Sequence, residues 1–194
     1  MPTNPANKVK FGLSNVHYAP LTVGEDGAVT FGTPVAIPGA VNLNLPPQGE
    51  TTTFYADDIA YYVAVANNGY QGDLEIALIP ESFAKDILKE TLDETAKVLV
   101  ENATVEPAPF ALLFEFKGDK HGIRHVLYNC TAARPTVGGS TITNTKEPTT
   151  ASLTLTAAPL ADGRVKAKTT ADTTEEVYNG WYKQVWQPTA SEGP

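Results

Sequence analysis

The sequence predicts a mainly β fold: two packed antiparallel sheets, arranged as a sandwich or open barrel, with one flanking α-helix. Three observations lead there. Apolar and polar residues alternate in many short runs, the period of a strand with one buried face. Glycine and proline, 15 of each, punctuate the chain between those runs. A single stretch, Pro80 to Glu94, carries apolar residues at helical spacing. The 194 residues suffice for one domain with a sizeable core, and no linker, repeat or heptad pattern divides them. One domain over 1–194 is expected, with a flexible N-terminal arm (1–7) and C-terminal tail (187–194).

In chain order, Val9, Phe11 and Leu13 alternate with polar or small residues and predict a first strand. LTVGEDGAVTF predicts a hairpin in which Leu21 and Val23 can face Val29 and Phe31 across a turn carrying Asp26-Gly27. Val41, Leu43 and Leu45 predict a strand that Pro46-Pro47 should end, because proline has no N–H for the ladder. The segment from Leu45 to Asp58 reads as a long loop, and loops of that length usually bind or recognise something. Strand character resumes from Ile59 to Ala66, followed by a turn at Asn67-Asn68-Gly69 and a half-buried strand carrying Leu74, Ile76 and Leu78. The helix is expected to be capped by Ser82, with Phe83, Ile87, Leu88 and Thr91 on one face. Leu153, Leu155 and Ala157 predict a strand, Asp162-Gly163 a turn into Val165–Lys168, and WYKQVW a last strand.

PFALLFEFKGDKHGIRHVLYNC, from Pro109 to Cys130, gathers two of three histidines and the lone cysteine. With a loop at Gly118–Gly122, the flanking strands pair Phe110 with Cys130, Leu112 with Tyr128, Leu113 with Leu127, Phe114 with Val126 and Glu115 with His125. The stretch is then wall, not active site. His121 and His125 are four apart but have Gly122 between them and no glutamate in the spacing, so a zinc site is not expected. Cys130 shares an apolar face, where a thiol stays protonated. The acid pairs Asp57-Asp58 and Glu175-Glu176 read as solvated loop charge, and VGGSTITNT lacks the ending of a phosphate loop. No convergent acid, base and nucleophile set is present, so no enzyme is expected, nor any catalytic residue, cofactor or metal.

A net charge of −8 and pI near 4.8 argue against tight binding of nucleic acid or anionic lipid. One cysteine offers no intrachain disulfide, and a reducing compartment is the simplest home. Neither a signal peptide nor an apolar run long enough to span a bilayer is visible, so a soluble protein without membrane contact is expected.

Several segments in order resemble one family: FYADD at 54–58, NNGYQGDLEIALIP leading into SFAKDILKE, PFALLFEFKG followed by HVLYNC and TAARP, then SLTLTAAPLADGRVKA and WYKQV. Together they resemble the major tail proteins of long-tailed, non-contractile bacteriophages, the phi13 type, over most of the chain. One departure is Lys89, where many relatives have glycine. The resemblance implies a structural virion protein whose hexameric rings stack into the tail tube, through which DNA passes during ejection without tight binding. It implies as partners further copies of itself, a tape measure protein, and tail tip or terminator proteins, with assembly in the bacterial host cytoplasm. It also implies that a long loop stacks the rings, which nominates Pro46, Pro47, Phe54, Tyr55, Asp57 and Asp58 as the inter-ring interface. Phe54 and Tyr55 could instead staple the loop to its own domain. Asp73 and Glu75 are candidate lumen acids if their polar face points inward. Two other readings stay open: another virion component such as a tail terminator or neck protein, and a carbohydrate-binding or adhesin module using the aromatics of IAYYVAV or WYKQVW.

Overall fold

A computed structural model describes residues 6–139, 141 and 148–188. Residues 1–5 and 189–194, most of the expected arm and tail, lie outside them. In chain order the elements are β1 (Lys10–Val23), β2 (Val29–Phe31), β3 (Val35–Ala36), β4 (Ala40–Asn44), β5 (Pro47–Gln48), β6 (Thr51–Ala56), β7 (Ile59–Val65) and β8 (Gly69–Ile76). There follow α1 (Glu81–Asp86), β9 (Thr91–Asp93), β10 (Val98–Val100), β11 (Phe110–Gly118), β12 (Ile123–Ala132), β13 (Ala151–Ala157), β14 (Lys166–Lys168) and α2 (Glu175–Gly180). The mainly β, antiparallel reading holds.

The main sheet runs β2-β1-β11-β12-β13-β8-β4. Short strands double its edges: β3 pairs with β1, β5 continues the place of β4 along β8, and β14 shares the far edge of β12 with β13. The sheet curls until β4 lies close to β1, and Ile37 N–H donates to the Val16 carbonyl at 2.7 Å. An open barrel results, with two halves facing each other across the main core.

β11 explains why one sheet supports two cores. Its run FALLF is apolar on both faces, as a strand covered on both sides must be. Phe110, Leu112 and Phe114 join Tyr18, Leu74 and Phe83 inside the barrel, while Ala111 and Leu113 join Val126, Tyr128 and Trp181 on the reverse side. α1 covers the first core through Phe83, with edge-to-face contacts to Tyr18 and Phe110 at 5.1 and 5.5 Å. Tyr18 Oη also donates to Asp86 at 2.8 Å, which fixes the helix to β1.

Several expectations are corrected. The helix stops at Asp86 instead of running to Glu94, because Lys89 takes φ +60°, left-handed backbone that no helix continues through. Its N-cap is Pro80 and not Ser82, and Thr91 starts β9. Lys89 stands where the resembled family favours glycine, and this φ is the physical reason glycine would suit the site.

WYKQVW is not a strand. Thr174 caps α2 by accepting from Val177 N–H, Glu175 and Glu176 form its first turn, and the chain then turns so that Trp181 and Val185 close the second core. The pattern is ambiguous because residues four apart share a face on a helical turn as well as on a strand. The acids read as loop charge thus mark a helix start.

The buried face of the first strand also differs. Gly12 and Asn15 have φ +62° and +52°, and register shifts fall at both places. These bulges leave Phe11 exposed and turn Val16, Tyr18, Ala19 and Leu21 inward. The expected β1–β2 hairpin forms, with Leu21 opposite Phe31 and Val23 opposite Val29.

A bulge likewise divides β11–β12. Phe110 faces Cys130 as expected, but beyond it Leu112 faces Leu127, Leu113 faces Val126, Phe114 faces His125 and Glu115 faces Arg124. The one-residue slip separates Val126 from Cys130, which sits in different cores. Glu115 then pairs with Arg124 at 2.9 Å rather than with His125. Arg124 lies 3.7 Å from the centre of the Tyr178 ring and donates to the Tyr178 carbonyl, so this ion pair also ties α2 to the sheet.

Candidate assembly surface

The expected loop from Leu45 to Asp58 is mostly strand. Pro46 and Pro47 do not end the pairing: the Pro46 carbonyl accepts from Gln71 N–H at 3.1 Å, and Pro47 pairs with Tyr70. Prolines fit there because they need only accept on the β8 side of an edge. Nor does Asn67-Asn68-Gly69 reverse the chain. Asn68 N–H donates to the Gln48 carbonyl and Ala66 N–H to the Glu50 carbonyl, so pairing carries from the body into a separate two-stranded hairpin, β6–β7. β4 to β6 and β7 to β8 are therefore two sides of one long ribbon, whose far end leaves the barrel.

Gly49 sits at the point of departure. Its φ is +149°, and a Cβ there would lie 2.0 Å from the Ala66 carbonyl oxygen. Only glycine permits that approach of the two backbones. At the far end Asp57 and Asp58 have φ +51° and +60°, the two left-handed residues of a two-residue hairpin turn. Aspartate tolerates this backbone better than most residues, which accounts for the acid pair without catalysis.

The β6–β7 register pairs Thr53 with Val63 and Phe54 with Tyr62, then shifts so that Tyr55 faces Ala60. Alternation sends Phe54 and Tyr62 to one face of the ribbon and Tyr55 and Val63 to the other. Both faces are open: Phe54 is 60% exposed, Tyr55 68%, Tyr61 70% and Tyr62 63%. Ile59, Val63 and Val65 are exposed as well. Phe54 and Tyr55 therefore do not staple the segment to its own body. A lone two-stranded ribbon is marginal in water, and one that is apolar on both faces gains stability only by burial against something else.

Sequence reading nominated Phe54, Tyr55, Asp57 and Asp58, which the structure brings together at the outer half of the ribbon. Pro46 and Pro47 lie at its root instead. Ile59, Val63 and Val65 were missed as surface residues because an apolar run reads as a buried strand, while Tyr61 and Tyr62 were considered only for sugar stacking. The signal that could have found them is two strand-like runs separated by two turn-forming residues.

Asp73 and Glu75 lie on the polar face of β8. Asp73 stands between Asn44 and Thr154, and accepts from the Thr154 hydroxyl at 2.8 Å; Glu75 stands between Asn42 and Ser152, and accepts from Thr150. The opposite face carries Leu74 and Ile76 into the core. The outer face of β4, β8 and β13 thus presents amides, hydroxyls and two carboxylates, with no lysine or arginine on those three strands.

The histidines and the cysteine have structural surroundings. His125 stacks on Phe114 with ring centres 5.0 Å apart. Burial first, then Lys168, Lys166 and Lys10, hold its pKa down at about 4, so the ring is neutral at pH 7. Burial pushes the Cys130 thiol up to about 12, leaving it inert. Among the described residues no three of His, Cys, Asp and Glu are placed to hold a metal ion, and no helix is long and apolar enough to cross a membrane. Of the aromatics considered for sugar stacking, Trp181 is buried, whereas those of IAYYVAV are open.

No protein-family model and no curated protein matches the chain. Among solved structures, it is similar to the cap of the anti-feeding prophage, described as the AFP tube terminating cap. The identity is 13% and the TM-score 0.45, with 87% of this chain and 98% of that chain covered. No residue role is carried over from that likeness.

Proposed function

We propose that the chain is a non-enzymatic structural subunit of a phage tail tube, a major tail protein that assembles into stacked hexameric rings. The observation that carries the reading is the β6–β7 ribbon, with large apolar side chains open on both faces and no packing partner among the described residues of its own chain. Such a ribbon is an aggregation hazard on a monomer and a joint in an assembly. The order of segments that resembles the phi13-type tail proteins supports the same conclusion.

The polar outer face of β4, β8 and β13 is the surface proposed for the lumen, with Asp73 and Glu75 among the groups facing it. Six copies at −8 each would carry about −48 per ring, and an acidic passage repels phosphates so that DNA slides without sticking. In this reading the partners are other copies of the chain, a tape measure protein, and tail tip or terminator proteins. The protein resides in the virion tail after assembly in the host cytoplasm.

Sedimentation and light scattering across concentration test the proposal. Growth from monomer into rings and larger stacks supports it. A single closed ring that never stacks would favour a terminator or neck role. A monomer at every concentration that binds members of a polysaccharide panel would favour a carbohydrate-binding module.

A further inference from the structure

We propose that the acidic tip of the β6–β7 hairpin docks into a lysine-rimmed aromatic groove on a second copy of this chain. The inference rests on the tube reading and names the receiving surface for the ribbon. The groove, about 310 Å³, opens at the root of the ribbon, where Leu45 and Tyr70 form one wall and Phe116 and His125 the other. Lys10 lies over the Phe116 ring at 4.9 Å and Lys166 over the Tyr70 ring at 4.4 Å. Among the described residues no carboxylate lines the groove, in a chain whose net charge is −8. A positive, half-apolar groove on an acidic protein calls for an occupant that is acidic and apolar together.

The hairpin tip has that chemistry. Asp57 and Asp58 form the turn, Tyr55 and Ile59 flank it, and all four are exposed. Among the described residues neither aspartate has an ion-pair partner. The tip cannot serve its own groove. From Glu50 to Asp57 an extended strand reaches roughly 20–25 Å, and the groove lies at the other end of the same ribbon. Each subunit therefore offers a tip to one neighbour and a groove to another. Such a head-to-tail contact propagates, closing into a ring or extending as a stack according to the rotation between copies.

Two variants of the full chain with one added cysteine each, Asp58→Cys and Lys166→Cys, are mixed under mild oxidation; the native Cys130 is buried and does not compete. The expected result is a disulfide between the two variants at least tenfold above that between Asp58→Cys and Lys97→Cys, whose cysteine would sit in the turn of the separate β9–β10 hairpin, outside the groove lining. Charge exchange gives a second readout. Lys10→Glu with Lys166→Glu should cut the assembled fraction at least tenfold, as should Asp57→Lys with Asp58→Lys, and mixing the two reversed chains should recover it. Tubes without the cross-link, and indifferent to both reversals, would overturn the groove and leave the tube reading standing. The cross-link without tubes would support the contact and overturn the tube reading, and neither would overturn both.

Discussion

Truncating the ribbon's aromatics should separate folding from assembly. Phe54 and Tyr55 are 60% and 68% exposed, so replacing both with alanine removes little that the monomer buries. Its stability should change by no more than about 0.5 kcal/mol. In an assembly the cost is larger. With side-chain surfaces near 200 Å² each, roughly 250 Å² remains open on the pair, worth about 6 kcal/mol at 25 cal/mol per Å² if all of it were buried. Allowing for the retained Cβ atoms and incomplete burial, about 4 kcal/mol per contact is expected, which weakens association about a thousandfold. Urea unfolding checks the first figure, and sedimentation velocity over a concentration series checks the second. A double variant that assembles at the same concentration as the parent would refute the reasoning. So would one that loses several kcal/mol as a monomer, since the aromatics would then be packing in the fold.

Four further outcomes follow from local geometry. Gly49→Ala places a methyl group 2.0 Å from the Ala66 carbonyl, so the ribbon root should distort and assembly fall while the barrel stays folded, as judged by hydrogen exchange in β6–β7 against β11–β12. Arg124→Leu leaves Glu115, 8% exposed, without its cation and should cost about 3 kcal/mol, much of which Glu115→Leu in the same chain recovers, both read by denaturant titration. Lys89→Gly relieves a left-handed lysine at φ +60° and should raise stability by about 0.5–1 kcal/mol, seen as a higher melting temperature. His125 has its pKa lowered from 6.5 to about 4, so between those values the unfolded chain takes up the proton first and stability falls as pH falls. A loss on the order of 2 kcal/mol from pH 7 to pH 4, after discounting for partial exposure, should shrink in His125→Gln when denaturation midpoints are compared.

How legible each part was in the sequence depends on whether local pattern and tertiary environment agree. β13 was readable because Leu153, Leu155 and Ala157 are buried while Ser152, Thr154 and Thr156 are open, so period and burial coincide. The β11–β12 register was readable at Phe110–Cys130 and then slipped, since a bulge leaves no clear mark in an apolar run. Helix α1 was overextended because Lys89 gives no sign of its backbone. The ribbon was half legible: FYADD drew notice as a segment that binds something, while IAYYVAV read as a strand whose aromatics were considered only for sugar stacking. Its strands are two-sided and apolar, which in a monomer means burial. In the proposed assembly the burial falls to a second molecule, and intrachain periodicity carries no record of that.

If the open ribbon builds this chain into hollow assemblies, negative-stain electron microscopy of the purified chain across concentration should show rings or tubes with a central hole and sixfold end views. A monodisperse monomer at every concentration, with no ring or tube on the grid, would contradict it.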